Sequence, residues 1–164
     1  LENSKENQIQ KLPFHLLHSG QDSEGQVRSL GISAISFKLI QGGQDGLLII
    51  ENTFNKAGGP ARHLHFNQDE WFYSLQGEFL FEIGSQKMLL KPGDSVLAPR
   101  QVAHVWAFSG SPRQEQGRIL IAFLPAGKME AFFRKVTQAN AMPPQDPALW
   151  LEHGMQLLGP PLKV

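Results

Sequence analysis

Between about residues 28 and 124 the chain is a succession of short apolar runs cut by turn signals, and few folds accommodate that pattern. The runs are SFKLI (36–40), GLLIIENTF (46–54), EWFYSL (70–75), EFLFEI (78–83), SVLAP (95–99), HVWAF (104–108) and RILIAFL (118–124). Between them stand QGGQDG, KAGGP, QG, GS, KPGD and SGSPRQEQG. In KPGD, Pro92 presets the first central position of a type II turn, and Gly93 supplies positive φ at the second. Gly84-Ser85 suits a two-residue hairpin, and Gly77 helps the chain reverse after Leu75. Short, evenly spaced strands with such turns predict an all-β antiparallel sandwich or barrel over 28–124.

The character changes on either side. In KMEAFFRKV (128–136), Met129, Phe132, Phe133 and Val136 follow the i, i+3, i+4, i+7 spacing of one apolar helix face. A second helix is expected to start at Asp146 as N-cap, with Pro147 at its first position, and to end at Gly154 or Gly159. Residues 125–164 therefore form a short C-terminal helical segment and tail, a lid or brace on the barrel. Residues 1–27 read as an N-terminal extension with the first strand.

At 164 residues the chain fits one domain with a real core. Lys+Arg and Asp+Glu are equal at 15 each, and no basic face stands out, which argues against nucleic acid as the partner. With no cysteine there is no disulfide frame, thiolate metal site or cysteine nucleophile. No apolar run approaches the ~20 residues of a membrane helix, so no membrane span is expected. The opening LENSKENQIQ lacks the apolar middle of a signal peptide, and a cytoplasmic location is the expectation, although the chain starts with Leu.

Within the strands, HLHFNQDEW (63–71) holds two of the six histidines, separated by one residue. Strand side chains alternate, so His63 and His65 share a face and Leu64 turns away. Glu70 lies an odd five residues beyond His65, but the turn-forming Asn67-Gln68-Asp69 can reset the phase. Glu70 could then face the histidines from a neighbouring strand, giving two imidazoles and a carboxylate for Mn, Fe, Co, Ni, Cu or Zn. His104, at the start of another strand, offers a third imidazole. The same histidines would also serve as satisfied core groups, Glu70 as a solvated strand carboxylate and His104 as a rim residue.

The joint pattern resembles the cupin superfamily. The spacing H-x-H-x4-E-x6-G is realised by His63, His65, Glu70 and Gly77, and a second motif, G-x5-P-x-G-x2-H-x3-N, is matched in part by Gly93, Pro99 and His104. The departures are Ala57 where the first motif opens with glycine, Gln101 at a glycine position and Phe108 at an asparagine position. None is a ligand position; Gln101 implies that the turn before His104 need not use positive φ. The resemblance implies a double-stranded β-helix, or jelly roll, with one divalent transition metal ion (Fe, Mn, Ni, Co, Cu or Zn) held by His63, His65, Glu70 and His104 in the barrel mouth. Alternation adds Phe72 and Ser74 on the face of Glu70, and Trp106 and Phe108 on that of His104, as a substrate pocket. Arg62 and Arg100 flank the ligand segments and are candidates to anchor an anion.

Three histidines and a glutamate, with LPAG (124–127), the FF helix and GPPL (159–162), are similar to the small bacterial quercetin-dioxygenase-like cupins. That likeness implies a dioxygenase for a small enol, phenolic or flavonol-like substrate, with Glu70 as the catalytic proton acceptor. A redox-neutral isomerase or lyase, and a non-catalytic small-molecule binder, are the alternatives on the same fold. Small cupins of this type and an exposed barrel edge lead to the expectation of a homodimer.

Overall fold

The computed structural model describes residues 14–110 and 116–164. The polar opening stretch LENSKENQIQ and most of the SGSPRQEQG connection fall outside the described residues. Two antiparallel sheets face each other. The first carries β1 (Arg28–Ser29), β2 (Ser33–Gln41), β3 (Leu47–Phe54), β5 (Asp69–Gln76), β8 (Ser95–Ala98) and β10 (Gly117–Leu124), in the order β1-β2-β3-β10-β5-β8. The second carries β4 (Arg62–His65), β6 (Phe79–Ile83), β7 (Gln86–Leu90), β9 (His104–Phe108) and β11 (Met155–Gly159), in the order β11-β4-β9-β6-β7. This is the double-stranded β-helix.

Alternation builds the core. In β3 the inward residues are Leu48, Ile50, Asn52 and Phe54; in β10 they are Ile119, Ile121 and Phe123, all buried. Phe54, Phe79, Phe81 and Trp106 fill one end, with ring centroids 5.6–6.1 Å apart in the Phe54–Phe79, Phe54–Trp106, Phe79–Trp106 and Phe81–Trp106 pairs. The turns act as their residues demand. The Lys91–Asp94 turn closes with a 2.9 Å bond from the Asp94 N–H to the Lys91 carbonyl, with Gly93 at φ 93°. Gly84, at φ 57°, links Ile83 to its cross-strand partner Gln86. Gly59 is required by proximity, since a Cβ there would stand 2.0 Å from the Trp106 carbonyl oxygen.

Helix α1 (Met129–Val136) buries Met129, Phe132, Phe133 and Val136, the stripe expected from spacing. Full burial of such a side chain contributes about 1.5–3 kcal/mol, so packing holds this short helix in place. Arg134 ties its outer face to the N-terminal loop by pairing with Glu24 and Glu130. Helix α2 (Pro147–Glu152) starts as expected, with the Asp146 carboxylate accepting from the Ala148 N–H at 3.0 Å. No described helix is long and apolar enough to cross a membrane.

The first described strand is β1 at Arg28, and residues 14–27 contain none, while the rest of the expected N-terminal extension lies outside the described residues. The run QKMLL, on the far side of the expected Gly84-Ser85 hairpin, is strand β7. Two expectations need correction. The C-terminal segment is not only helical: after Gly154, β11 joins the second sheet beside β4, pairing Met155 with His65 and Leu157 with His63. Finally, Gln101 does adopt positive φ, at 64°. Its N–H donates to the His65 carbonyl at 2.7 Å, so the turn before β9 keeps the left-handed conformation despite a side chain that disfavours it.

That conformation costs a non-glycine residue roughly 1–2 kcal/mol, against about 0.5–1 kcal/mol of backbone entropy lost by glycine on folding. Gln101→Gly is therefore expected to stabilise the protein by about 0.5–1 kcal/mol, read as a higher urea midpoint. A lower midpoint would mean that the Gln101 amide, which reaches the Phe66 carbonyl at 3.5 Å, outweighs the strain.

Candidate metal centre

Strand β4 presents His63 and His65 inward, while Arg62 and Leu64 turn outward and are half-buried. Phe66, Asn67 and Gln68 then carry the chain across to the other sheet. Glu70, near the start of β5, consequently faces the histidines from the opposite sheet, not from a neighbouring strand as expected. His104 opens β9 and pairs directly with His63 across the strands. The four side chains are all buried, and their ligand atoms lie within 4.8 Å of one another. Glu70 Oε2 is 2.9 Å from His104 Nε2, 3.1 Å from His65 Nε2 and 3.9 Å from His63 Nε2.

The far side of each ring fixes its tautomer. His63 Nδ1–H donates to the Ala61 carbonyl at 2.7 Å and His104 Nδ1–H to the Val102 carbonyl at 3.1 Å. His65 Nδ1–H donates to Gln68 Oε1 at 2.8 Å. The Gln68 amide nitrogen in turn donates to the carbonyls of Pro125 and Ala126, which leaves its oxygen for His65. In each neutral ring, Nε2 is then a lone pair aimed at the common point.

Electrostatics agree. Burial, with His104 and His65 close by, drives the His63 pKa well below its ordinary value against the opposing pull of Glu70, so the ring is neutral at pH 7. Burial alone would raise the Glu70 carboxyl. Hydrogen bonds and charge from His104 and His65, available only while their Nε2 atoms carry protons, more than offset that and hold it well below the usual carboxylate range; once those nitrogens are lone pairs, the positive charge has to come from elsewhere. Three lone pairs and a carboxylate pointing at one another lack a positive partner, and a cation supplies one. Two ligands about 2.1 Å from one ion at a right angle stand about 3.0 Å apart, close to the shorter separations here. The residues fit a metal ion.

Beside the cluster lies a cavity of about 480 Å³ of empty space, counted with its opening. His63, His65 and Glu70 line it together with apolar side chains such as Ile50, Phe123, Phe132 and Trp150. Among the described residues, no lysine or arginine does. Arg62 is paired with Glu82, and Arg100 donates to Asp69 at 2.9 and 3.1 Å; neither faces the cavity.

Of the four residues expected to form the substrate pocket, only Trp106 lines the cavity. Phe72 packs against Phe81, Phe108 against Phe79, and the Ser74 hydroxyl donates to the Gly77 carbonyl at 3.0 Å. Alternation points these three side chains inward, but farther along the barrel, into its core. Sequence reasoning missed Asn52, Gln68 and the walls supplied by α1 and α2 as site residues. Asn52 carries a legible signal, a polar residue on the inward face of GLLIIENTF. The α1 stripe is legible as apolar, but not as a cavity wall. Gln68 gives no signal, because the two carbonyls that orient its amide are 57 and 58 residues away.

Residues 52–112 match the family model described as the cupin domain. A search of curated proteins gives no match. Among solved structures, KdgF from Halomonas sp. is similar at 21% identity over 62% of this chain and 87% of that one, with a TM-score of 0.54. An RmlC-like cupin from Shewanella frigidimarina is similar at 21% identity over 71% of this chain and 96% of that one, with a TM-score of 0.53. The family match covers residues 52–112, less than half of the chain, and the fold around it is the double-stranded β-helix to which these solved structures are similar.

Proposed function

We propose that this protein is a metal-dependent cupin enzyme, a dioxygenase for a small enol, phenolic or flavonol-like substrate. The observation that carries the reading is the convergence of three tautomer-fixed Nε2 atoms and Glu70 beside an apolar cavity. His63, His65, Glu70 and His104 would hold one divalent transition ion, which supplies Lewis acidity for a substrate oxygen and, when redox-active, chemistry with dioxygen. The imidazoles of His65 and His104 are met by Glu70 Oε2, and in this reading Oε1 accepts the proton of a substrate hydroxyl. The apolar walls exclude water, and α1 and α2 close over the site.

The test is oxygen uptake by metal-reconstituted protein with enols, catechols and flavonols. Consumption matched to substrate loss supports the dioxygenase. Equal turnover without oxygen would put isomerisation or elimination in its place, and saturable binding without turnover would leave a small-molecule binder.

The reading extends to a homodimer. Strand β8 is an edge of its sheet, and its Leu97 is half exposed opposite Trp71, itself 39% exposed and stacked on Tyr73. Light scattering should give twice the chain mass, and Leu97→Lys should reduce it; a wild-type monomer would remove the proposal.

A further inference from the structure

Asn52 occupies a position where the alternation of β3 asks for an apolar residue. It follows Leu48 and Ile50 and precedes Phe54 on the inward face, and its neighbour Ile50 shares the cavity wall with it. The side chain is only 5% exposed, yet its amide oxygen has no hydrogen-bond partner among the described residues. Trp106, 3% exposed and on the same cavity, has an indole N–H that is likewise unpartnered. Buried polar groups are nearly always satisfied, and two orphans on one apolar cavity are an exception that needs a cause. Packing does not supply it, because leucine at position 52 and phenylalanine at 106 would fill similar space without a polar atom to strand.

We propose that Asn52 and Trp106 form a polar subsite that recognises an uncharged ligand bearing both a hydroxyl and a carbonyl on an apolar body. The ligand hydroxyl donates to the Asn52 amide oxygen, and a ligand oxygen accepts from the Trp106 indole N–H. Among the described residues no lysine or arginine lines the cavity wall, which disfavours ligands that carry a free carboxylate or phosphate into it. A site built to pair polar groups rejects analogues that lack them, because its own groups are then left unpaired. The inference rests on the cavity being the substrate site, but it does not require turnover.

The test uses three neutral probes, a 3-hydroxy-4-pyranone, its O-methyl ether and a methylbenzene of similar size. Their binding is measured by calorimetry to the full chain, with and without reconstituted metal. Asn52→Leu and Trp106→Phe are each expected to weaken the hydroxypyranone by about 3- to 10-fold, the range of one net hydrogen bond. Methylbenzene binding and metal content should not change. Free Asn52→Leu protein should melt at or above the wild-type temperature, since it has shed an unsatisfied polar group. A lower melting temperature with unchanged probe affinity would make Asn52 a structural residue and overturn the proposal, as would wild-type protein that binds no probe. Asn52-dependent binding in protein that takes up no metal would retain this inference while the metal reading fails.

Discussion

Glu70→Gln is expected to leave a folded barrel that holds metal more weakly and turns over its substrate about 10²–10⁴-fold more slowly, the usual contribution of a positioned acid or base. The substitution keeps the shape of the side chain and removes its charge. Three neutral imidazoles then surround the ion without the carboxylate that Oε2 now places 2.9 and 3.1 Å from two of them. It also removes the only carboxylate among the described cavity-lining residues, so a substrate hydroxyl loses its proton acceptor. Metal content and turnover must be measured on the same preparation. A variant with restored metal content and wild-type turnover would show that Glu70 is a ligand only, and that the proton leaves by another route.

Gln68→Leu is expected to lower metal affinity about 10- to 100-fold, the typical effect of removing the group that orients a ligand, although residue 68 touches no metal. Gln68 joins two parts of the molecule. Its oxygen sets the tautomer of His65, and its nitrogen anchors the carbonyls of Pro125 and Ala126, just ahead of α1. Gly127 is packed so closely on it that a Cβ there would stand 2.4 Å from the amide nitrogen. Leucine would strand the His65 Nδ1–H and both carbonyls, and each buried unpaired group costs about 1–3 kcal/mol. Gln68→Glu separates the two roles. A carboxylate still accepts from His65 but cannot donate to the carbonyls, so metal affinity should largely return while stability does not. Equal loss of both in the two variants would make Gln68 structural alone.

The meeting of His63 and His65 on one face was legible because strand periodicity is local. One residue between His63 and His65 is enough to put both on a single face, and the turn residues before Glu70 allowed its phase to change. What the sequence did not show is where that turn leads. The chain crosses to the opposite sheet, and this is what lets a carboxylate oppose the imidazoles across the barrel. The same limit accounts for Phe72, Ser74 and Phe108. Alternation specifies the face of a strand but not the depth along the barrel, and these three lie in the core beyond the cavity. Strand β11 escaped notice because MQLLG is a short apolar run after a helix, with neither clear alternation nor a turn pair of its own. Gln101 shows the reverse error: tertiary hydrogen bonding imposed positive φ on a residue whose own preference is against it.

The proposed function requires that His63, His65, Glu70 and His104 hold a transition-metal ion. The most direct test is elemental analysis of protein purified without a metal-binding tag, beside a His63→Ala/His65→Ala variant, both offered Mn, Fe, Co, Ni, Cu and Zn. About one equivalent of one of these ions is expected in the wild type and little in the folded variant. No metal in the wild type after reconstitution, or equal metal in both, would contradict the proposed function.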